Sequence, residues 1–360
     1  MSLRDALQNV PAYHFSAKEA TVKLDQNESP YDLPDELKAK VLSTVAQTAF
    51  NRYPELDARS LKTKLAERYA WTNEGVVVTG GSNVLIQAFV MAAGLGQQVL
   101  SVTPTFSVYP LQAQLQGADL VEAPLGEDFS LPLAGLLDKL EQGRGVFFLA
   151  NPAAPTGNVF SEEALEQLAQ ASAQNWLMVV DEAYYQFSGT DALGLVKRHS
   201  HVASIRTFSK AFGLGGVRLG FGLMQPRLAE QLQKTVMPFS VSALQLETAK
   251  VVLDAPDFVE SRVQEALRER EKLFRALERL PNVTPFPSST NFILFKVPDA
   301  SAFYEQLLAR GILIRRQDHL PGLTGCLRVS VGTPQENQLF VEAAQTIAAS
   351  NPPEKELSHG

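Results

Sequence analysis

Short apolar runs alternate along the chain with stretches in which apolar positions recur every three or four residues. Residues 76–79, 98–102, 119–123, 146–150, 177–180, 202–205 and 219–224 read as strands. Residues 35–50, 57–69, 83–93, 105–116, 133–142 and 161–174 have helical spacing, with Ser161 as a cap and Glu162 and Glu163 in the first turn that follows it. Several of the strands are apolar throughout, so both of their faces need cover. That alternation predicts an α/β fold, a mostly parallel sheet with helices on both faces. In such sheets binding sites gather just beyond the carboxyl ends of the strands.

The pattern changes at both ends of this core. Residues 1–33 lack periodicity and carry turn residues, as in Asn27-Glu28-Ser29-Pro30, and read as an arm lying against another surface. A large domain is expected over 34–255. A long, charged, amphipathic helix over 256–280 leads into a smaller α+β domain ending near 350. It has strands at 292–297, 312–315 and 327–331 and helices at 300–310 and 336–349. The polar tail 351–360 is predicted to be disordered.

Composition narrows the functional class. The chain has 360 residues, enough for about two domains, and is 45% apolar and 20% charged, as in ordinary globular enzymes. Lys and Arg total 32 against 39 Asp and Glu, a net charge of −7 without a basic run, which argues against nucleic acid as the main partner. The single cysteine, Cys326, excludes an intramolecular disulfide or a cysteine-based zinc cluster, and it reads as a buried thiol. No metal site is expected. No stretch has the order of a signal peptide or the roughly 20 apolar residues of a membrane helix, so a cytoplasmic location without membrane contact is expected.

Lys210 stands out chemically. It follows an apolar run, among small and flexible residues, in Thr207-Phe208-Ser209-Lys210-Ala211-Phe212-Gly213-Leu214-Gly215-Gly216-Val217-Arg218. Desolvation there lowers an amine's pKa and makes it nucleophilic, and Ser209 and Arg218 suit a phosphate. An aldehyde carrying a phosphate, pyridoxal phosphate, would satisfy both; a plain loop lysine is the alternative. Asp181 ends an apolar strand and needs a partner, either a protonated ring nitrogen or the next turn. Tyr184 is suited to a cofactor's phenolic oxygen or to the core. Gly80-Gly81-Ser82-Asn83 joins a strand to a helix N-terminus, a ready anion site that is also common in such folds. Tyr109, after Thr103-Pro104-Thr105-Phe106, suits stacking on a ring or core packing equally. Asn51-Arg52-Tyr53-Pro54 and the double-proline turn 151–158 are further polar turns. Arg315 and Arg328 lie in apolar strand-like runs of the second domain and call for an anion, from substrate or from a structural carboxylate.

Taken in order, these segments resemble the fold-type I, pyridoxal-phosphate-dependent class I/II aminotransferases, and within them the histidinol-phosphate branch. The resemblance runs from Leu24-Asp25-Gln26-Asn27-Glu28-Ser29-Pro30 to Cys326-Leu327-Arg328-Val329-Ser330-Val331-Gly332. It implies that Lys210 bonds the cofactor's aldehyde and then moves the proton at the substrate's α-carbon. It likewise implies that Asp181 holds the pyridinium, Tyr184 contacts the phenolic oxygen and Tyr109 stacks on the ring. Ser82, Asn83, Ser209 and Arg218 would bind the phosphate. Tyr53 would reach the site of a partner subunit in a homodimer. Arg328, with Arg315 beside it, would bind the substrate's anion, with Asn27 in the arm and Tyr13 closing over substrate. The implied reaction takes an amino group from L-histidinol phosphate to 2-oxoglutarate. Aromatic amino-acid transamination, decarboxylation of threonine phosphate and a non-catalytic binding protein of the same fold are the alternatives. Two positions depart from the pattern: Ala154 stands before Pro155-Thr156-Gly157 where the family has Asn, and Ser29 stands where a second Asn is usual.

Overall fold

The structure, a computed structural model, describes Val10 and residues 18–350, and elements and contacts are given for those residues. In chain order the strands are β1 (Val22–Lys23), β2 (Val76–Thr79), β3 (Gln98–Thr103), β4 (Asp119–Pro124), β5 (Gly145–Ala150), β6 (Trp176–Asp181), β7 (Val202–Thr207), β8 (Gly220–Met224), β9 (Thr284–Pro285), β10 (Phe292–Lys296), β11 (Ile312–Leu313), β12 (Arg315–Arg316) and β13 (Cys326–Ser330).

A seven-stranded sheet has the order β2-β8-β7-β6-β5-β3-β4. Only β8 runs against the others, so the sheet is mixed, pairing antiparallel with both β2 and β7. Strands β2, β5, β7 and β8 are buried along their whole length, which is why β2, β5 and β8 read as largely apolar runs, while β7 carries Ser204 and Arg206 within it. The antiparallel return from β7 to β8 matters for the site. Thr207 pairs with Gly220, and the Phe208 N–H bonds the Leu219 carbonyl at 3.0 Å. The loop carrying Ser209, Lys210 and Arg218 is therefore pinched at its base beside the carboxyl ends of β6 and β7.

A second sheet, β12-β13-β10-β9, is antiparallel throughout. The helix Pro256–Glu278 joins the two regions: Val259 and Val263 pack with the core near β2 and β8, Leu273 and Leu277 with the core under the second sheet. Cys326 is buried in β13, and burial pushes its thiol up to about 11.

Several expectations are corrected. Residues of the arm form a strand. Strand β1 pairs in parallel with β11, and Val22 and Leu24 sit in the second core with Leu273, Phe295 and Phe340. The surface this part of the arm lies on is thus its own chain. The strand expected at 312–315 is two strands: β11 faces the arm and β12 faces β13, with Ile314 as the break between partners. The helix expected from 105 begins at Val108, leaving Thr105, Phe106 and Ser107 as a loop. Helices Leu193–Arg198, Pro226–Gln233 and Ala243–Leu253 were not expected. Tyr13 and the tail 351–360 lie outside the described residues. Among the described residues no helix is long and apolar enough to cross a membrane.

Candidate active site

The carboxyl ends of β2, β3, β5, β6 and β7 open onto one cavity of about 340 Å³, closed on its other side by the arm and by β12 and β13. Asn27, Ser82, Asn83, Tyr109, Asp181, Tyr184, Ser209, Lys210, Arg218, Arg315 and Arg328 all line it. Tyr53 does not. Its side chain is on the surface, ring centroid 4.8 Å from that of Phe239.

Lys210 lies at the centre. Its Nζ donates to the Gln26 carbonyl at 2.8 Å and stands 5.8 Å from the centre of the Tyr184 ring. Desolvation, with help from the charge on Arg328, pushes the amine down from 10.5 to about 8. Asp181, at the end of β6, is pushed up to about 6 by burial. The Tyr109 hydroxyl at 2.7 Å and the Ala183 N–H at 3.1 Å offset part of that shift. A desolvated carboxylate and a desolvated amine thus face the same space.

The arm supplies more of the wall than expected. The Asn27 side-chain amide donates to the Tyr184 hydroxyl at 2.9 Å, its N–H bonds Ser330 Oγ at 2.8 Å, and its carbonyl accepts from Asn291 at 3.0 Å. Arg328 Nη2 donates to the Asp25 carbonyl at 2.9 Å. Asn27 therefore ties the arm, the second sheet and Tyr184 together, and burial raises the Tyr184 phenol above its ordinary value.

Two glycines shape a cup beside Lys210. A Cβ on Gly220 would come within 2.3 Å of the Ser82 nitrogen, and one on Gly81 within 3.1 Å of Arg218 Nη2. Gly81, at φ 102°, is in backbone territory that L side chains rarely enter. Their absence of side chains brings Arg218 and the N-terminus of helix Ser82–Phe89 together. Arg218 Nη1 reaches Ser209 Oγ at 3.4 Å and the Gly215 carbonyl at 2.9 Å. A guanidinium, a hydroxyl and free helix N–H groups converge there as phosphate ligands do.

Tyr109 is placed differently from expectation. Its ring is fully buried, stacked on Phe148 at 4.9 Å and 8°, and it is the hydroxyl that serves the site. Phe106, partly buried on the cavity wall and edge-on to Tyr109 at 5.7 Å, is the aromatic ring beside the open space. Phe106, Gln317 and His319 line the cavity and were not singled out from sequence. The two-residue alternation from Arg315 to Gln317 is the signal that was there to read; His319 lies in the turn that follows.

On the second sheet, Arg315 stands directly across from Arg328 in the β12–β13 pairing. Like charges at that position repel, so a shared anion on the cavity side stabilises both. The cavity therefore offers an amine and a carboxylate at its floor, a phosphate cup on one side and a pair of cations on the other. A planar cofactor with an aldehyde, a ring nitrogen and a phosphate fits those groups, as pyridoxal phosphate does, and Ala154 with Tyr184 flanks the remaining edge.

This arrangement defines an amine-handling, pyridoxal-phosphate-dependent enzyme, and the chain belongs to the aminotransferase class I and II family, whose pattern matches residues 19–343. Within that family it stands among the histidinol-phosphate aminotransferases. It is 46% identical over 343 residues to the histidinol-phosphate aminotransferase of Deinococcus radiodurans, covering 95% of each chain. To that of Aquifex aeolicus it is 33% identical, covering 94% of this chain and 96% of the relative. The fold matches the crystal structure of histidinol-phosphate aminotransferase from Sinorhizobium meliloti in complex with pyridoxal-5'-phosphate, with a TM-score of 0.87, 24% identity and coverage of 97% and 98%. L-threonine-O-3-phosphate decarboxylase from Porphyromonas gingivalis shares it too, at a TM-score of 0.79 and 23% identity over 91% of this chain and 99% of that one.

Proposed function

We propose that the enzyme transfers the amino group of L-histidinol phosphate to 2-oxoglutarate, giving imidazole acetol phosphate and glutamate, in histidine biosynthesis. The observation that carries this reading is the cross-strand pair Arg315 and Arg328 on the same cavity as Lys210. It suits an amine with an anionic end. Kinship with the Deinococcus radiodurans and Aquifex aeolicus enzymes supports the choice of phosphorylated amine.

When bound, pyridoxal phosphate supplies an aldehyde that condenses with amines and a protonated ring that withdraws electrons. Ser82, Asn83, Ser209 and Arg218 would hold its phosphate, Asp181 would keep the proton on its ring nitrogen, and Tyr184 would donate to its phenolic oxygen. Phe106 offers the stacking face, while Tyr109 keeps Asp181 oriented. Lys210 Nζ would carry the proton from the substrate α-carbon to the cofactor's former aldehyde carbon in the first half-reaction and back in the second, a task for which a pKa near 8 suits it better than 10.5 does. The arm is fastened over this space, because Gln26, Asn27 and Asp25 are bonded to Lys210, Tyr184 and Arg328.

The enzyme acts as a homodimer in the cytoplasm, with Tyr53 reaching the partner's site. An exposed apolar surface around Phe50, Tyr53, Met237 and Phe239 supports that assembly. A monomer with full activity in sedimentation and assay would exclude it.

The reaction is tested by half-transamination. L-Histidinol phosphate should bleach the absorbance of the lysine-bound cofactor, and 2-oxoglutarate should restore it with glutamate formed. Bleaching by phenylalanine or tyrosine alone would move the assignment to an aromatic aminotransferase; carbon dioxide from threonine phosphate would move it to a decarboxylase. Lys210→Ala should abolish both absorbance and turnover, and Arg328→Ala should raise KM for the phosphorylated amine while leaving the cofactor bound.

A further inference from the structure

We propose that Gln317 is a specificity-determining residue that reads the anionic ends of both substrates between Arg315 and Arg328, and this rests on the transamination reading above. The placement follows from strand geometry. Side chains alternate across β12 and the residue after it, so Arg315 and Gln317 share one face and Arg316 takes the other. Arg316 bonds Asp318 at 3.0 and 2.6 Å and Ser301 at 3.1 Å, away from the cavity. Arg315 and Gln317 line the cavity, with Arg328 across from Arg315 on β13.

Gln317 is held firmly. Its N–H bonds the Cys326 carbonyl at 3.1 Å, its own carbonyl accepts from Leu320 at 2.9 Å, and only 5% of the residue is exposed. Its side-chain amide, by contrast, has no hydrogen-bond partner among the described residues. A fixed, nine-tenths-buried amide facing a cavity beside two cations is arranged to donate to an oxygen of a bound anion.

The chemistry of the residue explains why an amide stands there. The amino donor carries a phosphate of charge near −2, and the acceptor presents a single carboxylate at its far end. A third fixed cation would favour the dianion over the monoanion and hold the phosphorylated product. The amide NH₂ donates to either oxygen without adding charge, so one pocket serves both half-reactions.

The test uses the cofactor-loaded enzyme with Gln317→Leu and Gln317→Glu. Gln317→Leu should raise KM for histidinol phosphate and for 2-oxoglutarate by about ten- to hundredfold, the range for a lost hydrogen bond to a charged group. It should leave kcat and the cofactor spectrum unchanged, and should not weaken the half-reaction with L-histidinol, which has the same amine but no anionic end. Gln317→Glu should penalise the phosphorylated amine more than 2-oxoglutarate, because repulsion scales with the charge of the group in the pocket, near −2 for the phosphate and −1 for one carboxylate. Calorimetry with inorganic phosphate on the loaded enzyme provides an arm independent of the substrate: Gln317→Leu should weaken that binding about tenfold or more. Unchanged phosphate binding, or losses equal for L-histidinol and the phosphorylated amine, would overturn the proposal. A wild-type enzyme inert to histidinol phosphate would overturn the substrate reading instead, and the phosphate arm would still decide Gln317.

Discussion

Removing the cofactor should leave two strained ionisable groups whose costs appear at different pH. Asp181 is pushed from 3.8 up to about 6 and Lys210 from 10.5 down to about 8, each chiefly by desolvation. Each shift of roughly two units corresponds to about 3 kcal/mol. For Asp181 the unfolded chain releases its proton near 3.8 while the native protein keeps it to about 6. The native state binds more protons in that window, so stability falls as pH rises through it. For Lys210 the native amine loses its proton near 8 while the unfolded chain holds on to 10.5, so stability rises across that window. Cofactor-free enzyme should therefore carry both penalties between about pH 6 and 8, and, on the roles proposed for the two residues, pyridoxal phosphate should stabilise it most there.

The assay is urea unfolding of cofactor-free protein from pH 4 to 10.5, with Asp181→Asn and Lys210→Met as references. Taking differences against each variant removes every other titrating group. Asp181→Asn should abolish the fall of about 3 kcal/mol between pH 4 and 6 and leave the alkaline rise intact; Lys210→Met should do the reverse. Wild-type and variant curves that run parallel through both windows would refute the desolvation argument. So would a Lys210 window that begins only near pH 10.

Three further outcomes are expected. Ala154→Asn adds an amide donor at the cavity edge, and one hydrogen bond of about 0.5–1.5 kcal/mol should lower the pH at which the bound cofactor's absorbance titrates by about 0.4–1 unit. Arg206→Met leaves Glu182 buried without its 2.8 Å partner and should destabilise the protein by about 3–5 kcal/mol in urea titration, whereas replacing both residues together should cost less. Gly220→Ala drives a Cβ toward the Ser82 nitrogen, and equilibrium dialysis should show cofactor affinity reduced by about tenfold or more, roughly 1.4 kcal/mol.

The large sheet was legible because most of its strands are buried on both faces and so read as largely apolar runs between helical patterns. The site was legible because Lys210, Asp181 and Tyr184 are polar residues at the ends of those runs, where polarity needs a reason. What escaped depends on distant partners. Strand β1 is two residues long and pairs with a segment some 290 residues away, so no local period marks it. Arg206 sits inside an apolar strand, fully buried, its charge met by Glu182 and by the faces of Tyr69 and Tyr185 at 4.7 and 4.0 Å. The Ser204 hydroxyl also bonds Glu182. Helix Ala243–Leu253 carries a readable start, the Ser242 and Gln245 capping box, but its buried residues circle the helix and leave no stripe.

The pair Arg315-Arg316 shows where sequence reasoning stops and register begins. Alternation requires the two to point to opposite faces, but alternation alone does not say which one meets the site. Asp318, two residues beyond Arg316, gives it a local carboxylate, and the structure uses that pairing. Arg315 is assigned to the cavity by its partner across the sheet, Arg328, a residue thirteen positions later whose opposition depends on how the turn 317–325 closes. The same register carries Gln317 inward with Arg315. The choice between Tyr109 and Phe106 has the same form. Both follow β3, three residues apart. The helix begins at Val108, which sends Tyr109 down toward Phe148 and Asp181 and leaves Phe106 in the loop on the cavity wall. In both cases the chemistry of the residues was readable, and a single turn decided which of two similar side chains lines the cavity.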